Sequence, residues 1–522
     1  KNVGAVDFYN RLVSSALINY STWRGTNLYS GGGGQRFFNL NLKFSSDQMI
    51  SFFFTKLKEE ILKIKDNSER NFTMALILRN EQDEPIAFYG YTAYTKDGQS
   101  DLSKRPITFS YNGGPGSSSM WLHMGVMGPK RVIVNDPSDN GPAPYKIEDN
   151  QFSTLDISDI VMIDPIGTGI SKAVGKANNK DFWGVDGDIK SVSGFIKQYI
   201  NENNRWQSPK FILGESYGTM RSAGVANYLQ DNLGITLNGV ILVSTVLDMR
   251  TLRFFQGDDI SYILHLPSYA VSAWYHNKIK NKSKDLAAFA EEARKFAAGD
   301  YATALMKGAD LSDAENEKIA SQYAALTGLS TEYVLKAKLR IKEPQFTEEL
   351  LRSEHMTVGR LDSRYKGINQ NLLSEGSSYD PQSTSISPAY ISAFTDYYYN
   401  ELKVNKMLTY RTSAYATPGF KWDWKHNKNF NNDAVPANTA VDLAEAMSRN
   451  PNLKVLAING YYDLATPFYA AEYTFTHMGL EKRIQNNFIL KYYEAGHMMY
   501  TDPASGKQFK KDVADFIKET IK

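Results

Sequence analysis

The chain has 522 residues, of which 42% are apolar and 22% charged, with a formal net charge of +2. A near-neutral balance removes the electrostatic case for nucleic acid or an acidic membrane as partner, and no apolar run reaches the length of a membrane span. Cysteine is absent, which excludes disulfides, thiolate metal sites and a cysteine nucleophile; the length calls for one large domain with insertions or for two domains.

Residues 1–70 form an N-terminal segment to which no role is assigned. The sequence starts at Lys1 without a signal peptide, as a processed exported protein would, so a periplasmic or secreted location is expected. "SGGGGQ" (30–35) reads as a flexible connection. Behind the candidate N-cap Ser46, residues Ile50, Phe53, Phe54, Leu57, Ile61 and Ile64 fall near helical spacing. From about 72 the pattern alternates, and "FTMALILRN" and "IAFYGYTAYT" around "EQDEP" predict a hairpin.

Short apolar strands follow: "RPITFSY" (105–111), "DIVMID" (159–164), "KFILG" (210–214), "GVILVST" (239–245) and "KVLAING" (454–460). Between them Val185, Ile189, Val192, Ile196 and Ile200 recur at helical spacing. Strand–helix alternation predicts an α/β protein with a mostly parallel sheet covered on both faces. The alternation stops near 248 and resumes near 450, and the helix formers between them predict a large, mainly helical insertion over one edge of the sheet. The expected division is 71–247 and 441–522 for the two parts of the core and 248–440 for the cap.

"KFILGESYGTMRSAGVANYLQ" passes from a strand through G-x-S-x-G directly into a helix. Gly214 and Gly218 leave room for a strained turn at Ser216, and the helix N-terminus turns its free N–H groups toward charge forming there. A serine hydroxyl needs a base. On such a sheet the acid and then the histidine follow later strands: Asp463 after "KVLAING" and His497 after "NFILKYY". Asp248 competes for the acid, whereas Asp164 precedes the turn. The remaining six of the seven histidines lack that order and strand context. "SYNGGPGSSS" (110–119), after an early strand, offers backbone N–H groups to a substrate carbonyl.

In this order, "NGGPGSSS", "DPIGTGIS" (164–171), "GESYG", "NGYYDLATP" and "AGHMMY" resemble the motifs of the serine carboxypeptidases, and flanking segments such as "WLHMGVMGPKRV" and "FWGVDGDI" resemble the bacterial branch. The resemblance runs from about 72 to the C-terminus. It implies an α/β-hydrolase core with a helical cap, a triad of Ser216, Asp463 and His497, a peptide substrate, and no metal or organic cofactor. Gly114 and Tyr217 match the oxyanion-hole residues. Asn112 and Glu215 match positions that bind the substrate's C-terminal carboxylate, and Met498 one that lines the leaving-group pocket.

Two positions depart from the family pattern. Ser117 stands where the family usually has cysteine, and Val126 where the second carboxylate of the carboxylate-binding pair is expected. Without like-charge repulsion from that partner, Glu215 is expected to lose the upward push on its pKa. Arg221 is then the candidate cation for the substrate carboxylate, with an internal ion pair as its competing role; His123 is a second candidate. "YHNKI" and "WDW" (422–424) of the cap are expected at the entrance. The function expected is a carboxypeptidase-type serine hydrolase working through an acyl-enzyme. An esterase or acyltransferase, and a non-catalytic binding protein on a retained hydrolase fold, are the alternatives.

Overall fold

A computed structural model describes residues 72–280, 282–426 and 436–522; the glycine run and the expected helix after Ser46 lie outside them. In chain order the strands are β1 (Phe72–Arg79), β2 (Pro85–Tyr94), β3 (Ile107–Tyr111), β4 (Lys130–Ile133), β5 (Lys146–Asp149), β6 (Asp159–Ile163), β7 (Lys172–Ala173), β8 (Lys210–Glu215), β9 (Gly239–Val243), β10 (Met356–Val358), β11 (Lys366–Ile368), β12 (Lys454–Gly460) and β13 (Phe488–Tyr493). The longer helices are α1 (Val185–Glu202), α2 (Tyr217–Leu233), α3 (Ile260–Tyr275), α4 (Leu286–Phe296), α5 (Asp313–Thr327), α6 (Pro381–Asp396), α7 (Ala440–Arg449), α8 (Phe468–Thr476) and α9 (Pro503–Thr520).

The main sheet runs β1-β2-β6-β3-β8-β9-β12-β13, with β7 against β2. It is parallel from β6 to β13. The expected hairpin forms its antiparallel edge, with Phe72 opposite Ala93, and Asn80 Oδ1 secures the turn by accepting the Glu84 N–H at 2.9 Å. Every residue of β3, β6, β8 and β9 is buried. Strands covered on both faces need apolar side chains on both, hence the continuous apolar runs. Side chains alternate between two cores. Phe109, Ile212, Val240 and Leu242 pack with α1, α2 and α7 on one face; Phe211, Leu213, Ile241 and Val243 pack with α9 and α6 on the other.

The stretch between β9 and β12 packs as two units rather than one. Helices α3 to α5 build their own cluster around Tyr269, Phe289, Tyr301 and Tyr323, resting on Tyr462 and Phe468. Helix α6 instead sends Ile386, Tyr390 and Phe394 into the core under the sheet. Bridges Gly169–Arg411, Ser117–Ser413 and Gly184–Asp423 then fasten the following chain to core loops. The aromatic stripe on α6 is what commits it to the sheet.

Candidate active site

Strand β8 ends at Glu215 and α2 begins at Tyr217, leaving Ser216 at φ 60°, ψ −129°. A non-glycine residue there costs about 1–3 kcal/mol and persists only where its surroundings dictate it. The Ser216 N–H donates to the Val243 carbonyl at 2.9 Å, and the Ser216 carbonyl accepts from Thr219 N–H at 2.8 Å and from Thr219 Oγ1 at 2.7 Å. A Cβ at Gly214 would collide with the Gly218 carbonyl, and one at Gly113 would lie 2.5 Å from the nitrogens of both Tyr217 and Gly218. The 112–117 loop therefore lies directly on the first turn of α2. That turn has N–H groups without intrahelical acceptors, at the positive end of the helix dipole. Gly114 and Tyr217 line the same cavity as Ser216.

Beyond β12 and β13, Asp463 and His497 are brought together by loop-to-strand hydrogen bonds, Tyr461 N–H to the Tyr493 carbonyl at 2.9 Å and Tyr462 N–H to the Ala495 carbonyl at 3.0 Å. His497 Nδ1 lies 2.8 Å from Asp463 Oδ2. The carboxylate is held by the N–H groups of Ala465 and Thr466, at 2.8 and 2.9 Å, and by Thr466 Oγ1 at 2.6 Å. With the proton on Nδ1, Nε2 is left as the acceptor. Burial disfavours the His497 imidazolium, but the Asp463 charge and hydrogen bond, helped by Glu215, outweigh it and hold the pKa above the ordinary histidine value. Among the described residues no hydrogen bond joins Ser216 Oγ to His497.

Ser216 and His497 face one cavity of about 470 Å³. The cavity lining draws on both cores, Trp121 and Met498 from one face of the sheet and Tyr217 and Trp424 from the other. Glu215 Oε1 accepts from Asn112 Nδ2 at 2.9 Å, and Glu215 lies beside Tyr500, which belongs to the core of Trp121 and Met498. Tyr217 packs against Trp422 and Trp424, with ring centroids 5.1 and 5.8 Å away.

Without a carboxylate at Val126, Glu215 still has a raised pKa, for another reason. Burial raises it to about 7, more than His497, Tyr500 and Asn112 lower it. Removal from water is the main cause, and the Asp463 carboxylate adds to it. Neither Glu215 Oε2 nor the buried Tyr500 hydroxyl meets a well-aligned hydrogen bond, but the hydroxyl lies close enough to the carboxyl to favour its charged form. Val126 is fully buried in the core beneath.

Arg221 needs the larger correction. It is fully buried, with Nε 2.7 Å from Asp188 Oδ2 and Nη1 donating to the Asn112 carbonyl at 2.8 Å. Its guanidinium lies over Tyr111 and Tyr217, 4.9 and 5.3 Å from the ring centroids, and it does not line the cavity. A cation on the buried side of α2 must find an internal counter-charge, and Asp188 on α1 supplies it; Glu215 does not. Arg221 therefore supports the Asn112 loop from behind. Arg221→Met should leave Asp188 buried without its counter-charge and destabilise the fold by about 3–5 kcal/mol, read as a lower denaturation midpoint, with Asp188→Asn in the same chain restoring part of it. A loss under about 1 kcal/mol would refute this account.

His123 is no substitute cation. It is buried against the Tyr94 hydroxyl at 2.6 Å, and burial pushes its pKa down to about 3. Asp248 caps the following turn by accepting the Arg250 N–H at 2.9 Å, and Asp164 accepts from Ser119 N–H and Tyr410 at 2.8 and 2.9 Å; neither pairs with a histidine. Trp424 lines the cavity, whereas Tyr275 and His276 of "YHNKI" do not. Glu343, Arg360 and Arg253, not singled out in the sequence, also line it. Nothing local marks them, since the cavity is assembled from distant segments.

The profile of the serine carboxypeptidase family matches residues 77–500. The chain belongs to the serine carboxypeptidase family. Over 129 residues it is 33% identical to serine carboxypeptidase-like 20 of Arabidopsis thaliana, a match that covers 24% of either chain. Its fold is similar to that of Kex1(delta)p, a prohormone-processing carboxypeptidase from Saccharomyces cerevisiae, with a TM-score of 0.52 at 16% identity over 88% of this chain and 93% of the other. The five serine carboxypeptidase motifs fall on the loops after β3, β6, β8, β12 and β13, at the carboxyl ends of the strands, where open α/β sheets bind ligands. Where the family usually has cysteine, Ser117 bridges to the backbone of Ser413. Among the described residues, no helix is long and apolar enough to cross a membrane and no group of three or more acidic or histidine side chains could hold a metal.

Proposed function

We propose that the chain is a serine-type carboxypeptidase, releasing C-terminal residues from peptides through an acyl-enzyme on Ser216. In this mechanism His497 Nε2 takes the Ser216 proton as Oγ attacks the scissile carbonyl, and Asp463 orients the imidazole and offsets its positive charge. The N–H groups of Gly114 and Tyr217 receive the oxyanion. His497 then protonates the leaving amine, and water releases the acyl group by the same route. The observation that carries this is the buried Asp463–His497 pair sharing a cavity with a serine held in a strained strand-to-helix turn.

Carboxypeptidase specificity is supported by Glu215, a buried acid beside the nucleophile whose second oxygen makes no well-aligned hydrogen bond and has the Tyr500 hydroxyl as its neighbour. Protonated, it donates a hydrogen bond to the carboxylate of the leaving residue; ionised, it repels it. Asn112 holds its other oxygen, and Met498 lines the same cavity. Helices α3 to α5 and the chain around Trp424 are read as a cap that restricts entry to chain ends. The motif-flanking segments support the bacterial branch and, with it, a periplasmic or secreted enzyme.

The signs of the two shifts give a pH test. Glu215 is protonated below about 7, whereas His497 acts as a base only above its own raised pKa. Because the groups interact, the limbs belong to the pair. For peptides with a free carboxylate, kcat/KM should peak near neutrality and fall toward about tenfold per pH unit on the alkaline side. Amidated peptides and esters should keep only the acidic limb, and Glu215→Gln should abolish the alkaline limb for free-carboxylate peptides. Product analysis on N-blocked peptides should show single residues released only from free C-termini. Identical alkaline profiles for both substrate types, or internal cleavage, would refute the assignment. An esterase or acyltransferase would share the acyl-enzyme but release no residues from peptides.

A further inference from the structure

The wall reached through Tyr217 carries a feature that the proposed reaction has not used. Trp424 packs on Tyr217, and the Arg253 guanidinium lies over the Trp424 ring, 5.9 Å from its centroid. Val246, Met249 and Leu252 complete this wall, all packed on the same core as Tyr217. The Arg253 backbone is anchored, its carbonyl accepting from Ser261 Oγ at 2.8 Å and from Phe255 N–H at 3.1 Å. The other cavity arginine, Arg360, lies 3.5 Å from Glu343. Arg253 pairs with no carboxylate among the described residues. A guanidinium attracted to an indole face spends none of its N–H donors on that contact and keeps them available for an incoming carboxylate.

We propose that Arg253 makes this wall select an acidic side chain, glutamate or aspartate, at the residue that becomes acylated on Ser216. The inference rests on the carboxypeptidase reading: with the leaving residue's carboxylate at Asn112 and Glu215, the acyl residue is the one that faces Tyr217, Trp424 and Arg253. The aliphatic side chains there pack the methylenes of the acidic residue, and a lysine meets like charge.

The test uses benzyloxycarbonyl dipeptides Xaa-Leu with Xaa glutamate, glutamine or lysine, and the α-methyl esters of the same blocked amino acids, near pH 7 and at low ionic strength. In the native enzyme kcat/KM should favour glutamate over glutamine by roughly three- to fivefold, the scale of a solvent-exposed ion pair, with lysine lowest and the preference shrinking as salt is added. Arg253→Gln should bring the glutamate-to-glutamine ratio to about one, and Arg253→Glu should place lysine above glutamate. Each ratio is internal to one enzyme preparation, so partial misfolding of a variant does not affect it. A ratio of one in the native enzyme, or a ratio that survives in Arg253→Gln, overturns the proposal. If the esters turn over and the dipeptides do not, the carboxypeptidase reading fails, and the same ratio measured on the esters still decides the role of Arg253. Absence of turnover with both series overturns the two together.

Discussion

Ser216→Ala is expected to lower kcat by roughly a millionfold, the scale seen when a triad serine is removed. The cavity holds other hydroxyls, on Ser117, Ser383, Ser387 and Thr466. Only Ser216 sits at the end of a strand against a helix N-terminus, with the 112–117 loop pressed against the same turn. Alanine keeps the backbone hydrogen bonds of Ser216 to Val243 and Thr219, so the fold and the peptide-binding walls should persist while the acyl-enzyme cannot form. A fluorophosphonate should label Ser216 in the native protein and nothing in the variant. Unchanged turnover, or a label on Ser117, Ser383 or Ser387, would remove Ser216 from the chemistry.

Asp463→Asn is expected to cost roughly ten-thousandfold in kcat with little change in stability. The loss comes from the direction of one proton. Asp463 Oδ2 accepts from His497 Nδ1, which leaves the Nε2 lone pair free to receive the Ser216 proton. An asparagine amide in that place donates to Nδ1, so the ring proton moves to Nε2, where it blocks the transfer. The Ala465 and Thr466 N–H groups can still hold the asparagine carbonyl oxygen at the position of Oδ1, so the loops should stay in place. Asp248→Asn, at a turn cap away from any histidine, should by comparison be mild in kcat. A strong effect at Asp248 with a mild one at Asp463 would reverse the assignment.

What could be read along the chain depended on how local its cause is. Strands β3, β6, β8, β9 and β12 were legible because burial on both faces demands an unbroken apolar run, and the β1–β2 hairpin because a polar turn separates two alternating segments. The β4–β5 pair was not, since "KIED" is mostly exposed and carries no apolar period. The two residues of β7 and the three each of β10 and β11 are too short to show one. The aromatic stripe of α6 tells that one face is buried, but not against what, so the sequence does not separate it from the other helices between β9 and β12.

The same division runs through the site. The proposed triad of Ser216, Asp463 and His497 could be picked out from order along the chain, since a strand-to-helix turn and strand ends are local patterns, and a parallel sheet brings the carboxyl ends of its strands to one edge. Composition and charge likewise excluded a thiol nucleophile and left nucleic acid without an electrostatic case. The electrostatics of the walls required the tertiary structure. Arg221 meets Asp188, 33 residues away on another helix, and Glu215 meets Asn112 across 103 residues. The Glu215 pKa follows from how completely water is removed around it, and the lack of a carboxylate partner for Arg253 among the described residues from where distant segments end up. A residue's type states which charge it can carry, but its partner and its solvation are set by long-range packing, so the turn that holds the proposed nucleophile was local information and the environment of the groups proposed to recognise substrate was not.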